Sequence, residues 1–253
     1  MNQRMTATIY SPPKTEITPT SRSLQPSRTD AAREAIRHDL VHMTQVSRAM
    51  LADAMTALRT GDTALSEQII ECDTEVDILE RCIEERTLCL VAAGSPAAYD
   101  LRFVGVALKV SADIERVADH AVNIARVSLR LHKCAPAQQT SLLLEIERMG
   151  ELTNELLKDT AQALARDDAD KAQWVIDRDD DVDVLYHEAQ SELRARMRTT
   201  PAQSVGASHL LFVAHYLERI CDHCTNIAER VAFMETGELH HGSAKKAARM
   251  SGK

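Results

Sequence analysis

Aromatic side chains are scarce in this chain, where they make up 3% of 253 residues. Glycine and proline are also few, at eight and seven residues. A core with so few rings must rest on Ala, Leu, Val, Ile and Met, and the hydrophobic fraction of 44% is large enough to build one. Because few residues favour turns, the elements should be long, and the composition predicts an all-α protein.

Other features that the sequence lacks exclude further classes of protein. The formal net charge is −8 and no basic stripe with interleaved aromatics occurs, which argues against nucleic acid as a partner. No apolar run approaches the roughly 18 residues of a membrane span, and the N-terminal segment lacks the apolar region of a secretory signal. We therefore expect a cytoplasmic protein whose six cysteines are reduced thiols.

Signatures of catalysis are missing as well. The sequence has no phosphate loop of the GxxxxGK[ST] type and no G-x-S-x-G elbow. Its one Glu-x-x-His, Glu238–His241, follows the last predicted helix, whereas a ferritin-like di-iron site needs this motif on inward-facing helices. Nothing in the sequence demands turnover, and we expect a protein that is not an enzyme.

Apolar residues recur at spacings of three and four along six segments, which indicates six amphipathic helices. The chain reads as two copies of three helices, because a shift of 106 residues aligns the first two helices of each half and a shift of 103 aligns the third. This internal duplication predicts two tandem three-helix bundles related by a pseudo-twofold axis. The predicted helices span about 30–59, Asp62 to Gly94, 98–132, 140–166, 168–198 and 201–236.

The same pattern predicts the domain boundaries. The first bundle should cover residues 30–133 and the second 138–236. Residues 1–29, rich in Ser, Thr and Pro, should form a disordered tail, and 237–253 a C-terminal tail.

Each copy carries two acidic pairs at positions i and i+4, one on its second helix and one on its third. At this spacing both side chains project from one helix face, and two like charges there disfavour the helix by a few tenths of a kcal/mol. Four such pairs suggest a compensating cation. The candidate metal ligands are Asp73, Asp77, Glu115 and Asp119 in the first copy, and Asp179, Asp183, Glu218 and Asp222 in the second.

Two interpretations of these acids stay open. Hard carboxylate oxygens suit Fe, Mn, Mg or Ca better than a thiolate-binding ion. Alternatively, the acids form a hydrated, ion-paired face, since Arg116 and Arg219 directly follow Glu115 and Glu218. Duplication copies surface residues as well as ligands, so the repetition alone does not decide between them.

Neighbouring residues could support a metal site or only pack. His120 and His223 lie about 100° around the helix from the preceding Asp and could flank the site or be packed side chains. Asn123 and Asn226 could orient the carboxylate one turn earlier or make hydrogen bonds between helices. The Cys221-x-x-Cys224 spacing permits a redox or zinc role, but Ala118 and Ala121 occupy the matching positions, which favours close packing.

The third helices carry a specific resemblance. The segments DLRFVGVALKVSADIERVADHAVNIAR (100–126) and YLERICDHCTNIAERVAFMETGE (216–238) resemble the two signature helices of the PhoU family. The resemblance covers about 35–238, with E-R-x-x-D-H-x-x-N-I-A in both halves and Asp-x-x-x-Asp on each preceding helix. Cys221 and Cys224 depart from the Gly or Ala that the family often has.

The resemblance implies a negative regulator of phosphate uptake and phosphate-starvation signalling. Members of the PhoU family are adaptors that contact the ATPase subunit of the phosphate ABC transporter and the phosphate-sensing histidine kinase, and a homodimer is expected. The family also binds divalent or trivalent metal ions, including iron clusters, through the eight carboxylates named above, and the choice among Fe, Mn, Mg and Zn stays open. The alternatives are a metal-buffering protein and a purely structural helical scaffold.

Overall fold

The computed structural model describes residues 28–92, 97–134 and 144–237. These residues form seven α-helices and one short 3-10 turn, without strands, so the predicted all-α fold is confirmed. In chain order the elements are α1 (Arg28–Thr60), α2 (Thr63–Ala92), α3 (Ala98–Cys134), α4 (Leu144–Arg166), α5 (Ala169–Asp177), α6 (Asp179–Thr199), the 3-10 turn Pro201–Gln203, and α7 (Ser204–Thr236).

The helices pack as two bundles that share one core. α1, α2 and α3 contact one another in the first bundle, and α4 to α7 do so in the second. The bundles then pack through two antiparallel helix pairs, α1 with α4 and α3 with α7. Buried Ala, Val, Ile, Leu and Met side chains form one continuous cluster through both halves. The boundaries of the two predicted domains stay a prediction, and most of both predicted tails lies outside the described residues.

The first turn between helices is built alike in both copies. Gly61 has a φ of 70°, and Asp62 accepts a hydrogen bond from the Leu65 N–H at 3.0 Å. In the second copy Asp167 has a φ of 50°, and Asp168 accepts from the Lys171 N–H at 2.9 Å. The left-handed residue ends one helix and the Asp after it caps the next.

The predicted fifth helix, 168–198, is wrong as a single element. The chain breaks at Arg178, whose φ and ψ of −84° and −8° close α5 before α6 begins. Asp179, Asp180 and Asp181 consequently fill the first turn of α6. Carboxylates there are stabilised by the helix dipole, so this part of the acidic run has an explanation that needs no metal.

Candidate functional site

The predicted metal ligands of the first bundle lie along the contact between α2 and α3. Asp73 and Asp77 project from α2, and Glu115 and Asp119 from α3. Asp119 and Asp77 both raise the pKa of Asp73, after the larger effect of burial and against the lowering effect of Arg126. Carboxylates influence one another in this way only when they are close, so the structure brings these residues into one electrostatic cluster.

Glu115 has the largest pKa shift in this cluster. Burial, followed by Asp119, raises its pKa from 4.5 to about 7, and Arg116 opposes this increase. Its side chain is 20% exposed, so part of the carboxylate still meets water. A positive ion next to Glu115 would stabilise the ionised carboxylate that burial and Asp119 disfavour.

Glu80 is a fifth member that the sequence reasoning missed. Its pKa is raised by burial and then by Glu84, Asp77 and Asp119. Glu80 stands three residues after Asp77 on the same helix face, which was the signal available in the sequence. Because the matching position in the second copy is Tyr186, a search for repeated acids does not find it.

Arginine already balances part of the charge. The Arg116 Nη1 lies 2.8 Å from an Asp119 oxygen, and its Nε lies 3.3 Å from a Glu115 oxygen. In the second bundle the Arg219 Nη1 is also 2.8 Å from an Asp222 oxygen. The ion-paired face considered from the sequence is therefore present on α3 and on α7.

The second bundle's acids lie along α6 and α7. The Thr225 hydroxyl on α7 donates a hydrogen bond of 3.4 Å to Asp179, so this carboxylate faces α7. Glu218 lies 3.8 Å from the His215 Nδ1. Asp183, one turn after Asp179, is on the same helix as Asp179, and Asp222 is bound by Arg219.

The carboxylate oxygens suit a hard cation, but their present positions do not form a closed site. Across the described helices, no three His, Cys, Asp or Glu side chains stand in an arrangement that could hold a metal ion. In the first bundle, where five acids lie within electrostatic range, rotating Arg116 away from Glu115 and Asp119 would free two oxygen donors. The oxygen donors thus suit a hard cation by their chemistry, whereas the present positions of the described side chains do not form a metal site.

The two histidines at matching positions of the repeat, His120 and His223, lie between α3 and α7. The ring centres of His120 and His223 are 5.7 Å apart, and His120 stacks on Tyr216 at the same distance. The His223 Nδ1 lies 2.9 Å from an Asp113 oxygen. Burial, followed by His223, lowers the pKa of His120 to about 4. These histidines therefore pack between the bundles, which is one of the two interpretations that the sequence allowed.

Asp113 is the second residue that the sequence reasoning missed. Besides His223, it is contacted by the Asn226 Nδ2 at 3.5 Å and the Arg230 Nε at 3.3 Å. Asn226 therefore makes the inter-helix hydrogen bond that was the alternative to a supporting role at the acids. Asn123 accepts a hydrogen bond of 3.2 Å from Arg126.

Cys221 and Cys224 are core residues. Their exposed fractions are 1% and 0%, and the Cys221 Sγ lies 3.4 Å from the Thr153 hydroxyl. Burial raises the pKa of both thiols, that of Cys224 to about 12. Thiols in this state are poor nucleophiles and poor metal ligands, so the packing interpretation describes them.

Comparisons with known proteins agree with this architecture. The model of the PhoU domain matches residues 40–128 and 146–231, one match in each bundle. The chain belongs to the PhoU family.

Individual relatives align with about four fifths of the chain. A phosphate-specific transport system accessory protein PhoU homolog of Caulobacter vibrioides is 38% identical over 200 residues, 79% of this chain and 86% of the relative. The PhoU protein of Escherichia coli K12 is 32% identical over 209 residues, 83% and 86% of the two chains. The crystal structure of PhoU from Pseudomonas aeruginosa superposes with a TM-score of 0.79 at 31% identity, covering 83% of this chain and all of that one.

A PhoU structure from Streptococcus pneumoniae is similar as well, with a TM-score of 0.76 at 27% identity over 84% of this chain and 99% of that chain.

None of the helices in the described part of the chain combines the length and the hydropathy of a membrane span.

Proposed function

We propose that this PhoU-family protein is an accessory protein of phosphate transport that restrains phosphate uptake and phosphate-starvation signalling. The observation that carries the proposal is the match of the PhoU domain to both bundles, together with relatives named for the phosphate-specific transport system. In this role the protein would bind the ATPase subunit of the phosphate ABC transporter and the phosphate-sensing histidine kinase in the cytoplasm. A homodimer is part of the proposal.

The proposal includes metal binding by the acids of the bundles. In the first bundle Asp73, Asp77, Glu115 and Asp119 would hold the ion, with Glu80 within electrostatic range. In the second, the ligands would be Asp179, Asp183, Glu218 and Asp222. A bound di- or trivalent ion, iron included, would change the local charge of the bundle surface and so its attraction for a partner.

Elemental analysis tests the metal ligands directly. We expect protein purified without chelator to contain metal and the double variant Asp77→Asn with Asp119→Asn to lose at least half of it. The matched control is Glu71→Gln with Glu75→Gln, which makes the same change of charge by removing two exposed acids of α2. Equal metal content in both double variants would show that our ligand assignment is wrong.

A deletion strain tests the regulatory role. Alkaline phosphatase is expected to be expressed in high phosphate when the gene is deleted, and the intact gene should restore repression. If the strain stays repressed without the gene, the regulator proposal fails. Sensitivity to metals without this derepression would favour metal buffering, and neither effect would favour a structural scaffold.

Partner binding can be measured separately. We expect the transporter's ATPase subunit and the sensor kinase to co-purify with the protein from cells grown in phosphate-rich medium. Mass spectrometry identifies them, and chelator treatment before the purification shows whether a metal contributes. Absence of both partners would leave a role in phosphate transport without the adaptor mechanism that we propose.

A further inference from the structure

A groove of about 440 Å³ lies between α1 and α4, away from the acids described above. Arg48 on α1 donates to Asn154 on α4 over 3.1 Å near one end of the groove. Since the two helices run antiparallel, Arg59 lies at the other end together with Glu147. The main lining residues are Leu51, Met55 and Arg59 of α1, and Glu147, Gly150 and Glu151 of α4.

The absence of a side chain at Gly150 gives the groove an aliphatic floor. A Cβ at this position would lie 2.6 Å from the Met55 Cε, which is closer than nonbonded carbon atoms approach. The glycine therefore lets Met55 lie directly against the α4 backbone. Met55 is half-buried, so its flexible thioether is the accessible part of the floor and can adapt to a hydrocarbon chain, whereas Leu51 beside it is fully buried.

The α4 side of the groove is negatively charged. Glu147 and Glu151 stand one helical turn apart, with Cβ atoms about 6 Å from each other. Within the described helices no ion pair neutralises either carboxylate. The lining carries these two carboxylates against the one arginine, Arg59, and this net negative charge next to an aliphatic floor is complementary to a cation that carries a hydrocarbon chain.

The duplicated helices show that this charge is not inherited from the common scaffold. The shift of 106 residues that aligns the halves places Val41 and Gln45 at the positions of Glu147 and Glu151. It also places Ala165 at the position of Arg59. The fold needs neither the acids nor the arginine at these positions, since the other half builds the same helix without them.

We propose that the groove binds a linear aliphatic polyamine. One ammonium group would lie between Glu147 and Glu151, with its methylene chain over Met55. Arg59 repels a second ammonium at its end, so the chain would run toward Ala52 and away from Arg59. The volume of about 440 Å³ is in the range of small-molecule sites in proteins.

Isothermal titration of the full-length protein with spermidine at low salt tests this proposal. The double variant Glu147→Gln with Glu151→Gln should bind at least about tenfold more weakly, because it removes both charges that face the ammonium. Glu71→Gln with Glu75→Gln is the matched control, with the same charge change and spacing on the exposed face of α2. The control should bind like the wild type.

Two single variants separate a groove from general attraction to an acidic protein. Ala52→Trp fills the groove from an exposed position without changing any charge, and should abolish binding while circular dichroism stays unchanged. Arg59→Gln removes the repulsion and should strengthen binding about threefold. The proposal is overturned if wild-type protein takes up no spermidine, if Ala52→Trp binds as well as wild type, or if the α2 control loses as much affinity as the groove variant.

Discussion

Replacing Glu115 by Gln tests the electrostatic strain in the acid cluster of the first bundle. Burial and Asp119 raise the pKa of Glu115 in the folded protein from 4.5 to about 7. Between these two pH values the folded chain binds more protons at this residue than the unfolded chain does. The contribution of Glu115 to the free energy of unfolding must therefore fall as the pH rises from about 5 through 7.

The size of this effect follows from the difference between the folded and unfolded pKa values. The full difference between 4.5 and about 7 corresponds to about 3 kcal/mol. Because the side chain of Glu115 keeps 20% exposure to water, screening reduces the contribution to about 1 kcal/mol. At pH 8 the Gln variant should be more stable than the wild type by about this amount, whereas at pH 4 this advantage should be absent.

Urea denaturation in the presence of chelator, followed by circular dichroism from pH 4 to 8, measures the difference. The exposed Glu71→Gln variant serves as the control and should track the wild type across the whole range. Adding Mn²⁺ at pH 8 should stabilise the wild type more than the Glu115→Gln variant, if a cation binds at this cluster. Parallel pH profiles for the wild type and Glu115→Gln would refute the reasoning, because the carboxylate would then be unstrained.

Three further experiments test the scaffold. Asp62→Ala and Asp168→Ala should each lower the free energy of unfolding in urea by about 1 kcal/mol, through loss of a helix cap. Asp167→Ala should lower the free energy of unfolding by about 1 kcal/mol more than Asp167→Gly does in the same assay. Both variants lose the ion pair to α1, but only Ala is strained at a φ of 50°. Equal losses in the two variants would exclude backbone strain. Ellman's reagent should modify four thiols in the native protein and six in denaturant, because Cys221 and Cys224 are buried; a native count of six would contradict their burial.

The repeat made most of the fold predictable. Residues kept in both halves identify what the shared architecture needs, and Asp62 with its counterpart Asp168 caps a helix in each copy. The break between α5 and α6 could not be found in the same way. Arg178 closes α5 with dihedral angles near the helical range, so neither a glycine nor a proline marks the position.

The contacts between the bundles could not be predicted from the spacing of apolar residues either. The spacing of apolar residues indicates which face of a helix is buried, but it does not say which helix covers that face. Asp113 illustrates the limit, because its partners His223 and Arg230 are more than one hundred residues away on α7. Its counterpart in the repeat is Tyr216, so duplication gives no hint of the carboxylate either.

The arginines of the repeat explain why the sequence left the acids ambiguous. Arg116 binds Asp119 and Arg219 binds Asp222 at the same distance of 2.8 Å. A guanidinium and a metal ion need the same carboxylate oxygens, so the metal that we propose would have to compete with these ion pairs. Each copy keeps both the acids and their internal cation, which is the arrangement expected if a metal binds only by displacing the arginine. The strength of the arginine pair then becomes part of the metal affinity.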